Sequence, residues 1–348
     1  GLGPINGVAI LMPLAFALHL PAESALILLA TVYIGCEYGG RISSILLNVP
    51  GDAGAIMTAL DGYPMAQKGQ AGVALSISAV SSFIGSTIAI LGIILFAPLL
   101  ANWSLAFGPA EFFALMVFAI ACLGSMMSHN PLKSVLAALI GLAMATVGVD
   151  ANTGVYRFTF DSVHLSDGIQ FVVVVIGLFS VSEILLMLES TSSGQKVVRA
   201  SGRMMFNLKE ATQCVGATLR SSLLGFFVGV LPGAGATIAS AIAYMSEKKI
   251  SGGDTFGKGD IRGVAAPEAA NNASACGSFI PMLTLGIPGS GTTAVMVGAL
   301  TLYNITPGPA MFTEQPDIVW GLIAALLIAN VMLLVMNIPL IGLFTRML

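Results

Sequence analysis

The 348-residue sequence predicts an all-α polytopic membrane protein built as an inverted structural repeat, with Pro-Gly broken or re-entrant helical hairpins. Three observations lead there. First, 56% of the residues are apolar and 9% charged, with mean hydropathy +0.92, where a soluble domain carries about 25% charged residues. Second, Asn-Val-Pro-Gly-Asp-Ala-Gly-Ala-Ile-Met-Thr-Ala-Leu-Asp over Asn48–Asp61 recurs as Gly-Ile-Pro-Gly-Ser-Gly-Thr-Thr-Ala-Val-Met over Gly286–Met296. Third, Gly1–Ile10 aligns with Gly233–Ile242, so two anchors are displaced alike, by 233 − 1 = 232 and 286 − 48 = 238 residues.

The elements follow in order, with about 20 apolar residues taken as one crossing. Residues 5–18 are too short to cross, 22–38 can cross, and 41–60 places apolar arms on either side of Pro50-Gly51, which reads as a re-entrant hairpin. Further spans are expected at 71–100, 109–127, 133–149 and 169–188, joined by polar connections at 150–168 and 189–212. Residues 213–246 read as a helix running to Leu231-Pro232-Gly233 and a shorter one returning, followed by a polar loop at 247–262. Residues 268–285 cross, 288–304 form the second Pro-Gly hairpin, and 317–340 cross again.

Orientation follows from Lys and Arg, which gather on the cytoplasmic side of short loops. Lys196, Arg199, Arg203 and Lys209 mark one loop as cytoplasmic, and Lys248, Lys249, Lys258 and Arg262 mark another. That is consistent only if 213–246 enters and leaves on one side. Lys68 and Lys133 then fall inside, while 150–168, with Asp150, Asp161 and Asp167 against Arg157, falls outside with residues 19–22. The halves 1–212 and 213–348 therefore have opposite orientations, and their hairpins meet near the midplane. Secondary transporters are commonly built this way, with the binding site at the repeat interface.

In each hairpin, Pro and Gly free backbone N–H groups inside an apolar segment, where they suit an anion at a half-helix N-terminus. Asn48, Pro50, Gly51, Gly54 and Thr58 in one tip, and Pro288, Gly289, Ser290, Gly291, Thr292 and Thr293 in the other, are the expected substrate-binding residues. Asp52 would repel an anion and is expected to carry the coupling ion, with Glu268, Asn271 and Asn272 where a polar loop enters a span. Tight packing by small residues is the plain alternative for the tips, and a helix cap for Glu268. Arg41 reads as a cytoplasmic anchor in preference to a substrate partner, and Glu111 and Glu183 as residues that terminate or orient their spans.

Other chemistry finds little footing. Cys36, Cys122, Cys214 and Cys276 are isolated, without CxxC, and His19, His129 and His164 lie far apart. No cofactor is implied beyond Na+ as a coupling ion. There is no GxxxxGK[ST] phosphate loop and no HExxH, so the chain reads as neither an ATP-driven pump nor an enzyme. A membrane-embedded enzyme and a channel are the alternatives, but a channel repeats its filter in parallel around a pore. The net charge of −3 is spread over many loops and implies no nucleic-acid partner.

Several stretches carry a family resemblance: Tyr38-Gly39-Gly40, Ser43–Asp52, Thr58–Ala66, Gly229–Gly235, Ala265–Ala273, Leu285–Ser290 and Pro307-Gly308-Pro309. In this order along the chain it resembles the large membrane subunit of the tripartite tricarboxylate transporter family (TctA-like). The resemblance implies a multi-pass permease of the bacterial inner membrane that imports carboxylates on an ion gradient. It also implies two partners, a small membrane subunit and a periplasmic substrate-binding protein. Family members are longer at both ends, so the chain is read as a fragment.

Overall fold

Proline and glycine punctuate this chain, because Pro removes a helical donor and Gly accepts the left-handed conformation that ends a helix. The computed structural model describes residues 3–126, 131–149, 155–166, 168–182, 185 and 203–346. They form two compact units, Gly1–Ala106 with Ser192–Leu348, and Phe107–Thr191.

The larger unit opens with α1 (Pro4–Ala17), α2 (Ala22–Leu47), α3 (Ile56–Gln67) and α4 (Ala71–Ser104). The smaller unit holds α5 (Pro109–Met126) and α6 (Pro131–Ala145), packed together, then a two-residue ladder pairing Gly148 with Arg157 and Val149 with Tyr156. A helix at Phe171–Val175 continues as a π-helical turn over Ile176–Val181; the rest of the span expected at 169–188, Glu183 included, lies outside the described residues, as does the polar connection up to residue 202. The larger unit resumes with α7 (Leu208–Val230), α8 (Gly235–Ile250), α9 (Arg262–Gly277), α10 (Phe279–Leu285), α11 (Gly291–Leu302) and α12 (Pro316–Arg346). Among the described residues α2, α4, α7 and α12 are long and apolar enough to cross a membrane. The protein is an all-α membrane protein.

The sequence repeat is a structural one. Asn48 and Gly286, 238 positions apart, end their helices in the same left-handed conformation, φ 57° and φ 68°. The same closing bond follows each, Val49 N–H to Ser43 O at 3.3 Å and Ile287 N–H to Pro281 O at 3.2 Å. Pro50 and Pro288 come next. Beyond them Gly51 lies against the backbone of Gly40, and Gly289 against that of Ser278, so closely that a Cβ on either would collide. Asp52 Oδ1 then accepts from Ala55 N–H at 2.9 Å in the turn that leads into α3, and at the equivalent position Ser290 Oγ accepts from Thr293 N–H at 3.2 Å and caps α11.

The two copies run in opposite directions. Along α9, Glu268 lies by Arg41, Asn271 by Glu37, and the following Ser278 by Tyr33, so the α9–α10 rod is antiparallel to its equivalent α2. Each copy's first helix reaches across to the other's last: α1 packs on α11, where Phe16 meets Tyr303 edge to face, and α8 packs on α3, where Tyr244 donates to Asp61 at 2.8 Å. The segment 213–246 folds as expected from its Pro-Gly, with α7 and α8 joined by a tip at Leu231–Ala234 whose Gly233 N–H donates to Gly289 O at 3.1 Å.

Two expectations need correction. The first tip is not a re-entrant hairpin following a separate span at 22–38, because α2 continues unbroken through Gly39, Gly40 and Arg41 to Leu47. The chain then doubles back by about two helical turns and restarts as α3 parallel to α2, with Gly51 beside Gly40 and Gly62 beside Ile45. Gly40 serves close approach here, since a Cβ on it would strike the Asp52 carboxylate. The crossing expected as continuous over 268–285 is interrupted at Ser278, because Pro281 has no N–H to offer the Gly277 carbonyl.

At the α3 end, Asp61 gathers the loop 251–261. Its Oδ1 accepts from Gly257 N–H, Gly259 N–H and Asp260 N–H at 2.8–2.9 Å. Burial pushes the pKa of Asp260 up, but the hydrogen bonds from Arg262 and Thr255 outweigh it and hold the carboxyl below its usual value.

Every residue of α9 from Gly263 to Gly277 is buried. Gly85 of α4 and Gly225 and Gly229 of α7 let the backbones of Ala269, Ala270 and Ser274 approach so closely that a Cβ at any of the three would collide. Gly225→Val should therefore destabilise the protein by about 1–3 kcal/mol or more through overpacking. Gly321→Ala, at an open helical position, should leave stability unchanged or raise it by up to about 1 kcal/mol. The melting temperature of each purified variant checks this, and equal melting of Gly225→Val and the parent would refute the close packing.

Candidate functional site

Taking a charge out of water is costly unless partners surround it, so the buried acids of the larger unit show where the fold has invested. Glu268, on α9, is fully buried. Its Oε1 accepts from Thr58 Oγ1 at 2.6 Å and its Oε2 from Ser82 Oγ at 3.0 Å, with Arg41 Nη1 at 3.9 Å. Arg41 is 1% exposed, which overturns its reading as a cytoplasmic anchor. Its guanidinium lies 3.8 Å over the Tyr38 ring and donates to Ser82 Oγ at 3.3 Å and Asn337 Oδ1 at 3.4 Å. Tyr38 in turn donates to the Ala79 carbonyl at 2.5 Å.

Beside this pair lies a second acidic group. Glu37, one helical turn before Arg41, is buried and its Oε2 accepts from Asn271 Nδ2 at 3.0 Å. Asp52 is 8% exposed; Oδ1 caps Ala55, while Oδ2 has no hydrogen-bond partner among the described residues. Asn271 Oδ1 is likewise buried and unpartnered. Asn272 is occupied otherwise, donating to Ser82 Oγ at 2.9 Å and to Glu268 O at 3.0 Å.

The second tip sits two turns further along, about 10 Å from Asn271 to Ser278. Tyr33 OH lies 3.1 Å from Ser290 Oγ and 3.4 Å from Ser278 Oγ, so a residue of the first copy holds the tip of the second. Thr58 and Glu268 make the reciprocal link. Ser290 and Thr293 form a capping box, which leaves the N–H groups of Gly291 and Thr292 without partners among the described residues. Gly291 is exposed, Ser290 and Pro288 half-buried, and Gly289, Thr292 and Thr293 buried.

The structure thus brings Asp52, Gly51, Gly54, Thr58, Glu268, Asn271 and Asn272 into one cluster and Pro288 to Thr293 into a second, neighbouring one. Asn48 and Pro50 stand apart on the exposed side of their turn, where Asn48 supplies the left-handed cap. The Thr58 hydroxyl is spent on Glu268, and the small size of Gly289 is required by Ser278. Glu111, as expected for a residue orienting its span, accepts from Gly108 N–H at 2.8 Å. No group of three or more His, Cys, Asp or Glu residues arranged for a metal ion occurs among the described residues.

Sequence reasoning missed Tyr33, Glu37 and Ser82. Glu37 and Arg41 are four apart, one face of a helix, and an ionisable pair inside an apolar span is itself a functional signal. The supposed break at Gly39-Gly40 hid it by placing both at a span's end.

The family model for the tripartite tricarboxylate transporter TctA family matches residues 1–348. An uncharacterized 52.8 kDa protein in the TAR-I ttuC' 3' region of Agrobacterium vitis is 42% identical over 349 residues, covering 100% of this chain and 69% of that protein. An uncharacterized protein in the TAR-II ttuC' 3' region of the same organism is 52% identical over 125 residues, 36% of this chain and 52% of that protein. No solved structure matches the chain. With its repeated Pro-Gly tips and buried polar cluster inside an all-α membrane fold, the chain belongs to the tripartite tricarboxylate transporter TctA family.

Proposed function

We propose that this chain is the permease subunit of a secondary active transporter that imports carboxylates, tricarboxylates or dicarboxylates such as citrate, across the bacterial inner membrane. Transport draws on a Na+ or H+ gradient, and the chain works with a small membrane subunit and a periplasmic binding protein. It performs no covalent chemistry. The halves 1–212 and 213–348 act as the two members of the inverted repeat. The observation that carries this reading is the pair of oppositely directed broken-helix tips, one of which aims the unpartnered N–H groups of Gly291 and Thr292 at the space beside Ser290. Freed N–H groups at a half-helix N-terminus suit a carboxylate. Pro288–Thr293 holds the substrate, while the acids of the first tip face the coupling ion.

Sidedness follows the basic residues. Lys68 Nζ donates to Lys258 O, and Gly72 at the start of α4 lies against Arg203 and Met204, so three basic segments share one end of the larger unit. That end is cytoplasmic by the Lys and Arg rule.

Two measurements test the proposal. Single cysteines at Ser193, Ser251 and Ser162, in a background lacking the native four, should react with a membrane-impermeant thiol reagent in intact cells only at 162; labelling at 193 without 162 reverses the orientation. For the substrate tip, Ser290→Ala removes a hydrogen bond to a charged group worth roughly 1.5–3 kcal/mol, or about ten- to a hundredfold in affinity. Gly291→Val, at an exposed position where only the flexible end of Ile5 is near, should bar a carboxylate from the N–H groups and weaken binding further. If both variants of the full-length transporter bind citrate and related carboxylates as tightly as the parent, the tip is a packing element.

A further inference from the structure

The first tip gathers three buried acids and one buried arginine. Glu37, Asp52 and Glu268 are buried and close enough to act on one another electrostatically, and Arg41 is paired with Glu268. Arg41, Thr58 and Ser82 take up both oxygens of Glu268, and Asn272 turns its amide nitrogen to Ser82 and to its own helix. Asp52 Oδ2 and Asn271 Oδ1 are two buried oxygens without donors among the described residues, as Arg41 Nε on the other side of Glu268 is a buried donor without an acceptor.

The Asp52 carboxyl group and the Asn271 amide oxygen meet beside Gly54. A Cβ on Gly40 would strike Asp52 Oδ2, and one on Gly54 would strike Asn271 Oδ1 while lying 3.0 Å from Asp52 Oδ1. Each oxygen occupies the place a Cβ would take, so the two glycines let the carboxyl group and the amide approach the backbone. Glu37 stands behind Asn271 and fixes its amide through Nδ2, turning the oxygen toward Asp52. The opposite tip differs in one respect that matters: at the position equivalent to Asp52 it carries Ser290, which makes the same bond three residues on and has no carboxyl group.

We propose that the first tip is a binding site for a monovalent cation of sodium's size, held by Asp52 and the Asn271 side-chain oxygen with Glu37 as the second carboxylate. Glu268 and Asn272 are positioning residues rather than ligands. A carboxyl group and an amide oxygen beside a broken-helix tip suit Na+. The two tips thus divide the work, cation at Asp52 and carboxylate at Ser290. This deepens the transporter reading and rests on it.

The test uses the purified full-length transporter with its partner subunits, in choline-balanced buffers without carboxylate. Adding Na+ should raise the melting temperature, radioactive sodium should bind saturably, and K+ should do neither at equal concentration. Asp52→Ser, which gives the first tip the residue found at the equivalent position of the other and can keep the bond to Ala55 N–H, and Asn271→Ala should abolish the Na+ response. Glu37→Gln should weaken the apparent Na+ affinity by about tenfold, the loss of one 1.4 kcal/mol interaction. Ser290→Ala should keep the Na+ response intact. An unchanged Na+ affinity in Asp52→Ser and Glu37→Gln, or a parent protein that responds to pH but not to Na+, overturns the site. If the parent binds and accumulates carboxylate without any Na+ response, the site fails and the transporter reading survives; Na+ binding with no carboxylate bound or moved has the reverse meaning.

Discussion

The rest of the larger unit depends on the buried ion pair between Arg41 and Glu268. In a solvent without water each charge must find its partners within the protein, and here those partners come from different helices. Thr58 of α3 and Ser82 of α4 donate to Glu268 on α9, and Arg41 on α2 meets Glu268, Ser82 and Asn337 of α12. The pair therefore sets the relative positions of five helices from both copies of the repeat. Lipid-facing packing alone would leave their rotations loosely fixed, since lipid tails are as apolar as the side chains they touch.

The repeat was legible because it is written twice, and two Pro-Gly tips inside apolar segments leave few other readings. The tip at Leu231–Ala234 followed from its Pro-Gly, whereas the capping box of Asn207 with Glu210, which starts α7 inside the connection expected over 189–212, was not read. Three features were not legible. Gly39-Gly40 looks like a break, yet in α2 it serves the approach of Asp52, and only the folded partner reveals that. Arg41 looked like an interface anchor because its neutralising acid is 227 residues away in sequence, 268 − 41. The Gly148–Arg157 ladder is too short to show a period of two. For the site, the residue types were readable and their allocation was not: Thr58 was read as a ligand for substrate and proves to be a ligand for Glu268.

Symmetry in this molecule ends where chemistry begins. Backbone angles, closing hydrogen bonds and glycine contacts coincide between the tips, so the same local folding problem has been solved twice. Side chains then depart from one another, Asp52 against Ser290 and Gly40 against Ser278. Those departures give one tip a charge and the other only hydroxyls.

The encasement of α9 bears on how the chain comes to be in a bilayer at all. Its buried length carries Glu268, Asn271 and Asn272, with glycines and alanines filling most of what remains. Such a segment gains little from acyl chains and pays heavily for its acid and amides there. Its affinity for the membrane interior is therefore borrowed from the walls that α4 and α7 present through Gly85, Gly225 and Gly229. Biogenesis must deliver those walls first or together with α9, so the order of helix entry is constrained by glycine positions on neighbours rather than by the greasiness of the helix being inserted.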